Sequence, residues 1–98
     1  MIRQLIVRPE AEAEMTHAFD WYDERQPGLG AEFLLCLDAL FASVLRAPRR
    51  YPRIYGSVRH GMTRRFPYKV LFVEENERVV ILAVFHVRRN PDVWQQRS

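Results

Sequence analysis

The stretch that most constrains this chain covers residues 66–89, FPYKVLFVEENERVVILAVFHVRR. Two apolar runs, residues 68–73 and 79–87, flank the polar segment Glu74-Glu75-Asn76-Glu77-Arg78. Runs rich in β-branched and large apolar residues on either side of a polar turn predict a hairpin whose two strands are buried. The second run holds no Gly or Pro for nine positions and then turns cationic at Arg88 and Arg89, which makes it the predicted centre of a sheet. That strand delivers His86, Arg88 and Arg89 to one sheet edge. With regular alternation, His86 and Arg88 share a face with Leu82 and Val84.

The rest of the chain must supply what this hairpin packs against. Residues 3–8, RQLIVR, form a strand candidate that stops at Pro9, a residue that cannot donate to a ladder but suits the first turn of a helix. A helix is predicted over residues 10–25, with Glu10, Glu12 and Glu14 near the positive end of its dipole and Ala11, Met15, Ala18, Phe19 and Tyr22 forming one apolar stripe. Gln26-Pro27-Gly28 ends it. A second helix follows from Leu29-Gly30 to about Ala47, with a wide face of Phe33, Leu34, Leu37, Leu40, Phe41, Val44 and Leu45, stopped by Pro48. Neither helix can bury its stripe alone, so the pair reads as a helical hairpin packed on the sheet. Residues 49–56, RRYPRIYG, read as a loop, and residues 57–66 as a strand in which Gly61 marks a bulge or a close approach. Pro67 is the corner into the hairpin. After Asn90-Pro91, residues 92–97 are expected to form one helical turn that packs Trp94 on the body. The expected fold is α+β in the order β-α-α-β-β-β, a helical hairpin on a small, mostly antiparallel, twisted sheet.

Ninety-eight residues, 48% of them hydrophobic, predict a single domain over 1–98 with one modest core. The N-terminus lacks the long apolar stretch of a secretory signal, and no run approaches the roughly 20 apolar residues of a membrane span. With one cysteine, Cys36, no internal disulfide can form, so a reducing cytoplasm is the expected location. The net charge of +3 hides a strong division. Residues 1–38 carry eight carboxylates against Arg3, Arg8 and Arg25, whereas residues 39–73 carry none against Arg46, Arg49, Arg50, Arg53, Arg59, Arg64, Arg65 and Lys69. Such asymmetry suggests a cationic face for nucleic acid, for an acidic protein partner, or for both.

Little of this supports cofactor or metal chemistry. His17, His60 and His86 are far apart in sequence and no Cys pair exists, so no metal site is predicted. Gly28 and Gly30 form only a GxG fragment before a helix, and Cys36 lies among leucines as a packed small hydrophobe. Metal-free RNA cleavage needs a base, an acid and a cation for the developing charge. The residues that could fill those roles are Lys69, His86 and Arg88, with Arg64, Arg65 and Arg89 adding cations; a half-buried structural role for His86 competes with a catalytic one. Trp21-Tyr22 reads as helix packing against the sheet rather than as a base-stacking platform, because Tyr22 continues the apolar stripe.

Several segments together resemble the ParE branch of the RelE/ParE superfamily, the toxin component of type II toxin–antitoxin modules. They are WYDERQPGLGAEFL at residues 21–34, Arg49-Arg50-Tyr51-Pro52, the lone Arg59, Phe66-Pro67-Tyr68, and AVFHVRRNPDVW at residues 83–94. The resemblance implies two helices on a small sheet, no cofactor, and a cognate antitoxin whose extended part wraps the toxin as a hetero-oligomer. RelE-like members cut messenger RNA on the ribosome with a cluster of Lys, Arg and Tyr or His residues. Here Lys69 and His86 lie near such positions, but no tyrosine follows and the tail ends QQRS. ParE-like members bind DNA gyrase and trap its cleaved-DNA state, which calls for a recognition surface more than a catalytic set. The expected partner-binding residues are Arg59, Arg64, Arg65, Lys69, Arg88 and Arg89, with antitoxin and gyrase as partners and the ribosome and mRNA as the alternative.

Overall fold

The structure, a computed structural model, describes residues 3–88. Strand β1 (Gln4–Val7) leads into helix α1 (Pro9–Arg25) and helix α2 (Leu29–Arg46), followed by a short 3-10 turn (Pro48–Arg50) and strands β2 (Arg53–Tyr55), β3 (Val58–Met62), β4 (Tyr68–Glu75) and β5 (Arg78–His86). The five strands form one sheet in the order β1-β5-β4-β3-β2. β1 pairs with β5 in parallel, and every other pair is antiparallel. The helical hairpin is therefore the crossover that carries the chain from the β1 edge to the β2 edge, from which β3, β4 and β5 follow inward until β5 lies beside β1. The α+β class and the helical hairpin agree with expectation; β5 is an interior strand, but the middle of the sheet is β4, because β1 adds only one strand beyond β5.

Local chemistry accounts for the helix ends. Pro9 opens α1, with Glu10 and Glu12 in the first turn and Arg25 in the last. The Asp23 carboxylate accepts hydrogen bonds from the Gly28 and Gly30 amides at 2.9 and 3.2 Å, satisfying donors at the start of α2 that have no helical partner. Gly28 supplies the left-handed turn with φ of 91°. At the other end, Arg3 donates to the carbonyls of Leu45 and Arg46 at 3.1 and 3.3 Å and ties the last turn of α2 to the β1 side of the sheet.

The hairpin turn is tighter than its polar segment. Glu74, Glu75 and Arg78 belong to the strands, and Asn76-Glu77 alone makes the turn, with Asn76 at φ 53°, a conformation Asn tolerates better than most residues. Along β5 the alternation breaks. Leu71 pairs with Ala83 and Phe72 with Ile81, so Leu82 is an extra residue, a β-bulge. Consequently Val79, Ile81 and Val84 face the helices with Val70 and Phe72, while Val80, Leu82, Ala83 and Phe85 join Leu71 and Val58 on the opposite face. Leu82 and Val84 thus lie on different faces, contrary to regular alternation. The buried apolar residues also fall into two clusters rather than one, because both faces of the central strands are apolar.

Two expectations for the middle of the chain are corrected. Residues 49–56 are not a loop throughout: they contain the 3-10 turn and edge strand β2, whose three residues are all exposed and so carry no alternation signal. The strand expected over residues 57–66 is shorter, because the Thr63 hydroxyl donates to the Phe66 carbonyl at 2.5 Å and folds residues 63–66 into a bend before Pro67. Gly61 is a close-approach point and no bulge: pairing with β4 is continuous, and a Cβ there would sit 3.1 Å from the Tyr51 ring and 3.2 Å from Leu40. The helical turn expected over residues 92–97, with Trp94, lies outside the described residues.

Candidate functional site

The sequence motifs converge on one aromatic cluster. Tyr22 of α1 packs on Phe33 of α2 and on Phe66 and Tyr68 at the β4 corner, with ring centroids 5.4, 4.9 and 6.1 Å apart. Burial pushes the Tyr22 hydroxyl above its ordinary range. Trp21 turns outward instead, contrary to expectation. The residue is 45% exposed, and its ring meets Tyr22 edge-on and is covered by the Arg25 guanidinium 3.4 Å from its centre, while Arg25 donates to the Trp21 carbonyl.

Beside this cluster, a groove of about 610 Å³ runs between α1 and the end of β5. Glu14, His17 and Trp21 form its helical wall, and Tyr68, Val84 and His86 its strand wall. The Glu14 carboxylate accepts from the Val84 amide at 3.0 Å, where β1 no longer covers β5. His86 stands edge-on to Tyr68 at 5.5 Å, and its Nδ1 accepts from the Arg88 amide at 3.2 Å. The helical wall was not legible in the sequence, since Glu14 and His17 lie off the apolar stripe and no motif marks them.

The predicted catalytic set does not assemble. Tyr68, Val70 and Phe72 face the helices, so Lys69 projects from the opposite face beside Leu71. There it lowers the pKa of His60, second to the desolvation that half-burial imposes, and the buried His60 Nδ1 has no hydrogen-bond partner among the described residues. His86 belongs to the helix-side face with Tyr68. One strand layer therefore separates Lys69 from His86, although Tyr68 and Lys69 pair with His86 and Phe85 in the ladder. Arg88 is exposed just past β5, nearer to His86 than to Lys69 in the chain.

The expected partner-binding residues are likewise dispersed. Arg59 donates to the Tyr51 carbonyl at 2.6 Å and holds the loop before β2. Arg65 pairs with Glu32 and lies over the Phe66 ring. Arg64 is exposed in the bend after β3; Arg89 lies outside the described residues. What composition could not show is that Arg64 lines, with Arg46 and Arg50, a second groove of about 530 Å³ between α2 and β3. Leu40 and Met62 form its apolar lining, and Tyr51 donates to Ser43 at 2.8 Å within it. Among the described residues no group of three or more His, Cys, Asp and Glu side chains is placed to hold a metal, and no helix is long and apolar enough to cross a membrane.

Comparison with known proteins accords with this geometry. The fold resembles a chain of the chromosomal ParDE TA system from P. aeruginosa, with a TM-score of 0.77 over 87% of this chain and 96% of that one, at 16% identity. Toxin ParE2 from two strains of Mycobacterium tuberculosis, CDC 1551 / Oshkosh and ATCC 25618 / H37Rv, is 30% identical over 93 residues, covering 94% of this chain and 89% of the relative. Residues 5–91 match the family described as ParE toxin of type II toxin-antitoxin system, parDE. The chain belongs to the ParE toxin family of type II toxin–antitoxin systems.

Proposed function

We propose that this toxin arrests growth by binding DNA gyrase in the cytoplasm, and that a cognate antitoxin neutralises it in a hetero-oligomeric complex. The observation that carries the reading is the placement of Lys69 and His86 on opposite faces of the sheet. A phosphodiester cleaved by acid–base catalysis must lie within hydrogen-bond reach of both groups at once. A binding toxin needs no such pair; it needs rigid surface, which the sheet and helical hairpin supply.

Two surfaces suit a neutralising partner. The exposed β2 edge (Arg53–Tyr55) can accept an added strand, and an antitoxin segment mixing acidic and apolar residues would complement the cationic stretch over residues 39–73.

The test is purified toxin in two assays: gyrase supercoiling with detection of trapped cleavage complexes, and cell-free translation with primer-extension mapping of the message. Loss of supercoiling with intact message is the expected outcome. Discrete cuts in the message with gyrase unaffected would replace this reading with ribosome-dependent mRNA cleavage.

A further inference from the structure

The arginines of this chain divide by what they touch. Arg3, Arg25 and Arg59 donate to backbone carbonyls, while Arg49, Arg65 and Arg78 pair with Glu74, Glu32 and Glu75. Arg46, Arg50 and Arg64 do neither among the described residues, yet they come from the end of α2, the 3-10 turn and the bend after β3 to line one groove between α2 and β3. Three arginines lining one groove give it a positive potential, which an anion bound there would offset.

We propose that this groove binds the phosphodiester backbone of duplex DNA. The cations do not stop at the groove. Arg49, whose side chain is 80% exposed, and the exposed Arg53 extend them along the elbow from the end of α2 into β2. Among the described residues the one carboxylate ion-paired on this ridge is Glu74, held by Arg49 and Arg3. A line of guanidiniums facing outward matches a ligand that repeats a negative charge at short intervals. An acidic antitoxin segment on the same cationic stretch would compete with the duplex for these arginines, but Met62, 49% exposed in the groove lining, offers a peptide no enclosed apolar anchor there. The inference stands on the groove alone and does not require gyrase to be the target, although a toxin that traps gyrase on cleaved DNA would meet such a backbone.

The test is fluorescence anisotropy of a labelled duplex titrated with the full toxin, without gyrase, across a salt series. Neutralising three phosphates predicts that affinity weakens about 40-fold between about 50 and 200 mM salt. Single Ala replacements of Arg46, Arg50 or Arg64 each lower the log–log salt slope by about one, whereas Arg25→Ala, on the far end of α1, leaves it unchanged. The variant R46K/R50K/R64K retains the slope, which separates lost charge from lost fold, and circular dichroism confirms that each variant is folded. A flat salt response, an equal loss with Arg25→Ala, or binding of an Asp/Glu-rich peptide without binding of the duplex would overturn the proposal. If the groove variants lose duplex binding but still inhibit supercoiling, the DNA site stands and gyrase inhibition does not depend on it.

Discussion

His60 shows how a single residue couples this fold to pH. Desolvation comes first and the Lys69 charge second, and both depress its pKa below the ordinary 6.5. The unfolded chain therefore binds a proton on this imidazole more readily than the folded one. Stability rises with pH through the window just below 6.5 and levels off above it, and acidification into that window costs stability. Urea midpoints measured at several pH values between about 5 and 8 should show this slope, and His60→Gln should flatten it. A second residue-scale lesson lies in the paired glycines of the α1–α2 turn. Gly28 answers to backbone conformation, with nothing within 4 Å of a would-be Cβ, whereas Gly30 answers to packing. Its neighbours could be read as a turn signal, but not this difference, since a close approach depends on where Phe19 lies in space.

At the scale of elements, Gly30 sets how closely α1 and α2 approach. A Cβ at position 30 would lie 2.7 Å from the Phe19 ring and 2.8 Å from its carbonyl oxygen. The carbonyl is backbone and cannot swing aside. Alanine improves helix propensity by about 1 kcal/mol, but overpacking costs about 1–3 kcal/mol, and a rigid neighbour favours the upper part of that range. Gly30→Ala should therefore lower the chemical-denaturation midpoint, and an unchanged or raised midpoint would show that the helices relax apart freely. The element pattern itself was largely legible. Period 3.6 marked both helices, and Pro9 and Pro48 marked a start and a stop, because those signals are local. Strand β2 was missed because an edge strand with all residues exposed has no buried face to write a period of two. The bulge at Leu82 was missed because β5 is apolar on both faces, so two consecutive residues pointing the same way leave no trace in hydrophobicity.

For the whole molecule, the sheet acts as a partition. Lys69 with His60 occupies one face and His86 with Tyr68 the other, so substitutions at Lys69 and His86 should affect toxicity independently. The effects of Lys69→Ala and His86→Ala, expressed as free energies from dose–response curves, should add in the double variant to within about 0.5 kcal/mol. A double variant no worse than the poorer single would reveal one shared catalytic unit. Charge divides along the chain instead, with carboxylates concentrated on α1 and arginines along the elbow between α2 and β2.

The sequence by itself determined the class of fold, the helical hairpin, the buried β4–β5 hairpin and the family resemblance, since each rests on residues near one another in the chain. It also established that residues 39–73 are cationic. Only the tertiary structure decided which of those cations meet. Arg64 shares a groove with Arg46 and Arg50 because β3 lies alongside the end of α2, while Arg59 and Arg65, closer to Arg64 in sequence, are drawn to a carbonyl and a carboxylate. The parity of a strand decided the rest. Lys69 and His86 differ in face because side chains alternate along β4 and along β5 beyond its bulge, and neither composition nor spacing reveals which parity the packed sheet adopts.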